Sequence, residues 1–304
     1  MKAIVFDNYL KQFKKINNYL NAEEVKFDII KFKNGEGKIV LHDSVKGEDV
    51  IIFSDFTAPI TYKYKGKKRV YSSDEYYVEL RRIINALDDP KSVNVFLPLM
   101  YECRQNAINE GESKDFEMFV SDLKHFGVNR IITFEAHGSH KDIQTYSLAS
   151  LFKEHKYDVV VSPDEGGRAR AEAYAKELGA DLYVFSKKRD LTKLVDGSNP
   201  IVEYAGEYYD FDNKRVLIVD DILDSGTTLL NAMSQIEGAS IINVCVCYAL
   251  FNKGLNKFKK AHKNNLFHTL YVSDLIYLKK SITRTDFVEV IDTSELVSEA
   301  IKWR

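Results

Sequence analysis

Two adjacent carboxylates close an apolar run and lead directly into a short stretch of small, hydroxyl-bearing residues. The segment is RVLIVDDILDSGTTLLNAM (215–233). Its apolar part predicts a buried strand over 214–221, with a helix starting near Thr227. In open α/β sheets ligands bind beyond the carboxyl ends of strands. Asp224, Ser225, Gly226, Thr227 and Thr228 would put backbone N–H groups and hydroxyls at the start of that helix, where a phosphate is favoured. Gly226 lets the backbone approach the anion. Asp220 and Asp221 have no cation beside them in sequence, so hydroxyl groups of a sugar are natural donors to them. An acidic strand end also occurs in P-loop ATPases, but the chain contains no G-x-x-x-x-G-K-[ST].

Other residues could carry chemistry, though each alone has an ordinary structural explanation. His137 follows the apolar run ITFEA, Asp164 sits in VVSPDEGGRAR, and Lys187 and Arg189 belong to FSKKRD. A lone histidine at a strand end usually serves as a hydrogen-bonded structural group. A short basic run usually forms a solvated charge cluster.

A frame is needed to bring such groups together. The 304 residues suggest two domains. Hydrophobic residues make up 45%, enough for two cores. Segments 49–53, 93–99, 129–135, 157–163, 182–186, 214–221 and 241–250 read as strands apolar on both faces, as in a parallel sheet covered by helices. Ser72 and Glu75 form a capping box ahead of YYVELRRIINAL, with Tyr77, Leu80, Ile84 and Leu87 on one face. Gly127 and Gly179 end two further helices. The expectation is an α/β protein of two doubly wound halves joined near 143–157.

The stretch TYKYKGKKRVYSS (61–73) interrupts the alternation and reads as a basic, aromatic hairpin on the surface. Cys103, Cys245 and Cys247 read as buried thiols. The formal net charge of -2 carries no signal for nucleic acid or a membrane surface. No apolar segment is long enough to span a bilayer and the start lacks a signal-peptide core, so a cytoplasmic protein is expected.

The loop at 220–228 resembles the phosphoribosyl-pyrophosphate loop of type I phosphoribosyltransferases and their relatives. Alone it leaves open transferases, pyrophosphokinases and regulators that bind the sugar without acting on it. The remaining motifs resemble the ribose-phosphate pyrophosphokinases, in that family's order and across nearly the whole chain. KFKNGE (31–36) is similar to a motif reaching the ATP site of a neighbouring subunit. The resemblance implies that Phe32 contacts adenine while Asn34 and Glu36 hydrogen-bond it. LPLMYECRQN (97–106) implies Arg104 and Gln105 at ATP. The resemblance also implies His137 and Asp164 at Mg2+, and Lys187 and Arg189 on a mobile catalytic loop.

The family match implies two type I phosphoribosyltransferase-like domains, each a mostly parallel sheet flanked by helices. These would be 1–145, joined by the C-terminal strand and helix of 287–304, and 146–286. It further implies self-association as a dimer or hexamer, with ATP and a ribose 5-phosphate-type sugar as substrates. Departures cluster at the ligand sites. Asn34 and Asn106 stand where aspartate is usual, Glu135-Ala136-His137 where Asp-Leu-His is usual, and Thr227 where glycine is common. The acceptor therefore stays open between ribose 5-phosphate and ADP-ribose, the latter used by divergent relatives that rebuild NAD. A non-catalytic regulator is the other alternative, although such a protein would be expected to lose His137 or the Lys187/Arg189 pair.

Overall fold

The computed structural model describes residues 1–59, 61–64, 67–104, 110–189, 201–205 and 208–302, of which 62–64, 67, 187–189 and 201–205 are described as backbone only. The chain divides into two compact units. The first contains 1–146, 274–277 and 292–304; the second contains 147–273 and 278–291.

In the first unit β1 (Lys2–Val5), α1 (Leu10–Leu20) and β2 (Glu23–Val25) lead into a hairpin of β3 (Phe27–Lys31) and β4 (Gly37–Leu41). After β5 (Asp49–Phe53) comes a second hairpin, β6 (Thr61–Tyr64) and β7 (Lys67–Val70), then α2 (Ser73–Asn85), β8 (Ser92–Phe96), α3 (Asp115–His125), β9 (Arg130–Phe134) and β10 (Ile143–Tyr146). The main sheet runs β10-β9-β8-β5-β1-β2, with every neighbour parallel. Val50, Ile51, Ile52 and Phe53 are all buried. A central strand covered on both faces needs such a run.

The second unit contains β11 (Val159–Ser162), α4 (Arg168–Leu178), β12 (Asp181–Val184) and a hairpin of β13 (Ser186–Arg189) and β14 (Ile201–Ala205). It continues with β15 (Arg215–Leu223), α5 (Thr227–Ser234), β16 (Ile241–Ala249), α6 (Asn256–Lys263), β17 (Leu270–Ser273), α7 (Lys280–Thr283) and β18 (Val288–Ile291). Its sheet runs β12-β11-β15-β16-β17-β18, again all parallel.

Counting only sheet strands within each unit, both orders are second-first-third-fourth-fifth-sixth. In both a two-stranded hairpin is inserted between the second and third of these strands. The sheet direction reverses between the first and third strands, and that switch point is where such folds bind ligands.

The C-terminal segment differs from the expected strand and helix joined to the first unit. Strand β18 pairs with β17, giving the second sheet its edge, with Leu270 opposite Val288. Only the helix α8 (Ser294–Lys302) belongs to the first unit. Asp274 secures the return there. Its Oδ1 accepts from Thr293 N at 3.0 Å and Thr293 Oγ1 at 2.9 Å, and its Oδ2 accepts from Lys15 Nζ at 2.6 Å.

Candidate functional site

The second unit's switch point lies between β11 and β15. Pairing of these strands ends at Val161–Ile218, whereas β15 continues beside β16 as far as Leu223–Ala249. The strand therefore runs two residues past the expected end at 221. Asp220 and Asp221 fall on the stretch that β11 no longer covers. Successive strand residues point to opposite faces, yet one guanidinium reaches both. Arg170 in the first turn of α4 donates from Nη2 to Asp221 Oδ2 at 2.6 Å, and its Nη1 lies 3.6 Å from Asp220 Oδ1. The Arg170 side chain is only 9% exposed.

The two carboxylates are thus unequal. Asp221 is buried against Arg170, and its Oδ1 also accepts from Ile222 N at 2.7 Å. Asp220 is more open, with a side chain 17% exposed. Its pKa is pushed up to about 7, first by burial and then by the Asp221 carboxylate, with Arg170 opposing. Asp164 adds to the upward push, which places a third carboxylate in the same field.

Asp164 heads the turn that feeds α4. Its Oδ1 accepts from Gly167 N at 3.1 Å, and Ser162 Oγ donates to its backbone oxygen at 2.6 Å. A Cβ on Gly167 would fall 2.6 Å from Ser162 Oγ, so the turn closes only on a bare backbone. Gly226 has a stronger requirement. Its φ is +72°, and a Cβ there would fall 2.2 Å from the Phe258 ring on α6. Ser225 Oγ lies 3.5 Å from Thr227 N and 3.3 Å from Thr227 Oγ1. Thr227 is exposed, and Asp224, Ser225 and Thr228 are half-buried. Hydroxyls and N–H groups at a helix start, a few residues after a pair of strand acids, can hold a phosphorylated polyol.

The remaining candidates are on other elements. Phe32, Asn34 and Glu36 form the tip of the β3–β4 hairpin, where Phe32 is 46% exposed. Asn34 Nδ2 donates to Glu36 Oε2 at 2.6 Å, and Glu36 N to Asn34 Oδ1 at 3.2 Å. Arg104 is exposed, and Gln105 lies outside the described residues. His137 is half-buried on the loop after β9, between Glu135 at φ +41° and Gly138 at φ +86°. Lys187 and Arg189 stand on β13, opposite Tyr204 and Ile201, with a register shift between Lys188 and Arg189. Their side chains lie outside the described residues.

The structure therefore gathers Asp164, Asp220, Asp221 and the 224–228 loop in the second unit, while Phe32, Asn34, Glu36, Arg104 and His137 belong to the first. Sequence reasoning missed Arg170, Ser162 and Phe258. The GGRAR run offers two arginines, and local order does not distinguish them. Arg168 instead pairs with exposed Glu165 at 2.8 Å.

An acidic strand end, a small-residue loop and a parallel sheet with this switch point define a phosphoribosyltransferase-type domain, and residues 135–273 match the phosphoribosyl transferase domain model. Residues 1–127 match the N-terminal domain of ribose phosphate pyrophosphokinase. The ribose-phosphate pyrophosphokinase of Mycoplasma genitalium is 30% identical over 301 residues, covering 93% of this chain and 84% of that protein. That of Thermotoga maritima is 26% identical over 97% of this chain and 95% of its own. Phosphoribosylpyrophosphate synthetase from Mycobacterium smegmatis shares the fold, with a TM-score of 0.77 at 20% identity over 99% of this chain and 97% of that one. The chain belongs to the ribose-phosphate pyrophosphokinase family, a family of transferases.

Proposed function

We propose that the protein transfers the β,γ-diphosphoryl group of ATP to the C1 hydroxyl of ribose 5-phosphate, giving phosphoribosyl pyrophosphate and AMP. The observation that carries this reading is the pair Asp220 and Asp221 near the end of β15, both reached by Arg170 with Asp220 the less buried, followed directly in the chain by the 224–228 loop. The matching N-terminal model supports the diphosphoryl donor half of the reading.

The sugar hydroxyls donate to Asp220 and Asp221, and its 5-phosphate takes the N–H and hydroxyl donors of Ser225 to Thr228. The C1 oxygen then forms a bond to the β-phosphorus as the bond from that phosphorus to the AMP oxygen breaks. The hydroxyl proton leaves to solvent. Such transfers depend on positioning and charge neutralisation more than on covalent help. Lys187 and Arg189 neutralise the transferring group and exclude water from it. Phe32, Asn34, Glu36, Arg104 and Gln105 hold the nucleotide, the hairpin tip acting in a neighbouring subunit of a dimer or hexamer.

Mg2+ supplies charge on the phosphate oxygens when bound. Its hard coordination takes one or two protein carboxylates, with phosphate and water completing the shell. Asp164, capping its own turn through one oxygen, fits that need, with His137 beside the phosphates. Among the described residues no group of three His, Cys, Asp or Glu side chains is assembled to hold a metal by itself. No described helix is long and apolar enough to cross a membrane, and we place the reaction in the cytoplasm.

The test is release of AMP from Mg-ATP with ribose 5-phosphate or with ADP-ribose as acceptor. AMP with ribose 5-phosphate is expected. AMP with ADP-ribose alone would replace the acceptor, and no AMP with either would make the protein a non-catalytic regulator.

A further inference from the structure

The β3–β4 hairpin is a two-stranded sheet of its own among the described residues. A lone ribbon of this kind holds its shape poorly in water, so its aim depends on what it rests against. Its last ladder pair is Lys31–Gly37, and Phe32 N donates to Glu36 O at 2.7 Å across the turn. Both members of that pair meet one buried acid or its partner. Glu79 on α2 is fully buried, and its Oε1 accepts from Lys31 Nζ and, at 2.9 Å, from Arg82 Nη1. Gly37 backs onto the same guanidinium, since a Cβ there would fall 2.7 Å from Arg82 Nη1. Lys31 Nζ also stands 5.0 Å from the centre of the Tyr71 ring, which packs edge-on against Tyr76 of α2.

This is an expensive way to fill a helix face. Neighbouring Leu80 and Ile83 fill it with apolar groups. Glu79 Oε2 is buried with no hydrogen-bond partner among the described residues. A buried ion cluster adds little stability over an apolar replacement, but it fixes where its members sit. Here one member, Lys31, precedes Phe32, and another, Arg82, backs Gly37, the residue after Glu36.

We propose that Glu79 is a positioning residue for nucleotide binding, fixing the turn end of the β3–β4 hairpin through Lys31 and Arg82 so that Phe32, Asn34 and Glu36 are presented in one orientation. The inference rests on the reading that this hairpin contacts the nucleotide. It adds a specific anchor that no nucleotide touches.

Steady-state kinetics of Glu79→Leu test it, with ATP and ribose 5-phosphate varied separately. Loss of a charged hydrogen-bonded anchor should raise KM for ATP about tenfold, while kcat and KM for ribose 5-phosphate stay within about twofold of the parent. Glu79→Gln keeps an oxygen acceptor of the same shape and should return KM for ATP close to the parent value. Arg82→Met removes one arm of the cluster at a side chain that is 28% exposed, should shift KM for ATP in the same direction, and decides the matter if Glu79→Leu does not fold. An unmoved KM for ATP in the folded variants, or equal losses in kcat and both KM values, would overturn the proposal. Phe32→Ala separates the two failures. If it raises KM for ATP while the Glu79 and Arg82 variants do not, the anchor alone is wrong. If it leaves KM for ATP unmoved, the hairpin does not bind nucleotide and the anchor falls with it.

Discussion

Between β1 and β5, and again between β11 and β15, the chain builds the same crevice at the same point of the same strand order, and puts it to different uses. In the first unit the crevice is sealed by its own hydrogen bonds. Asp55 follows β5 and is fully buried. Its Oδ1 accepts from Thr57 N at 2.8 Å and Thr57 Oγ1 at 2.6 Å, its Oδ2 from Tyr277 N at 2.7 Å, and Asn8 Nδ2 donates to its backbone oxygen at 2.6 Å. In the second unit the equivalent acid is doubled, Arg170 reaches both copies, and the more weakly held Asp220 keeps a partly exposed side chain ahead of a loop of hydroxyls. The shared sheet supplies the location. The residues at and after the end of the third strand, SDFTAP or DDILDSGTT, decide whether the location is a joint or a binding site.

The two inserted hairpins extend the contrast and give the largest expected effect. β13–β14 carries Lys187 and Arg189, and β3–β4 carries Phe32, Asn34 and Glu36. If the first acts on the transition state and the second on ground-state nucleotide, their variants must split by kinetic constant. Lys187→Ala or Arg189→Ala should lower kcat by about a hundredfold to a thousandfold, with ATP binding by calorimetry largely kept. Near-normal turnover in both variants would remove the division of labour.

The acids themselves give the next test. Asp220→Asn should lower kcat/KM for the acceptor about a hundredfold, because the sugar hydroxyls lose a charged acceptor, and should leave the melting temperature equal or higher. Asp55→Ala should do the reverse. It leaves the Thr57 and Tyr277 donors unanswered in the interior, costing about 3 kcal/mol of stability, with the kinetics of the folded protein unchanged. A kinetic defect in Asp55→Ala would mean that the sealed crevice still takes part in catalysis.

Much of this contrast was legible beforehand. Runs such as VIIF (50–53) and VVV (159–161) are apolar at consecutive positions and read as strands buried on both faces. The capping box is present, with Glu75 N donating to Ser72 Oγ at 3.2 Å and Ser72 N to Glu75 Oε2 at 3.0 Å. Gly179 ends α4 at φ +61°. The expected hairpin at 61–73 forms between 61 and 70. Legibility stopped where a local pattern is too short or a partner is distant. β1, β2, β10 and β17 have three or four residues each, too few to show a period. The buried face of α2 is Tyr76, Glu79, Leu80, Ile83 and Ile84; it keeps Leu80 and Ile84 of the expected stripe but not Tyr77 and Leu87, because the helix ends at Asn85 and Tyr77 turns its hydroxyl to Asp122. Arg170 is 50 residues from Asp220 in sequence, and no local rule connects them. Phe258 explains Gly226 from a different helix.

The smallest expected effect is a pH dependence that reaches function in one crevice and not in the other. Asp220 is raised from its ordinary 3.8 to about 7, and Asp55 is also raised by burial. A carboxyl raised on folding binds its proton more tightly in the folded state. Its stabilising contribution is therefore complete below the unfolded value near 3.8 and is lost as pH climbs through the folded value. For both acids, lowering the pH from 8 should raise the contribution to stability. Only Asp220 should couple this to function, because the protonated carboxyl accepts sugar hydroxyls poorly. KM for the acceptor should then rise as pH falls below about 7, by up to about tenfold per unit, while the stability contributed by Asp220 rises over the same range, so affinity is lost as stability is gained. In Asp220→Asn both trends should flatten, with the Asp55 part of the stability profile intact. A single shared profile for acceptor KM and melting, surviving in Asp220→Asn, would show that the open acid of the second unit is no more a ligand site than the sealed acid of the first.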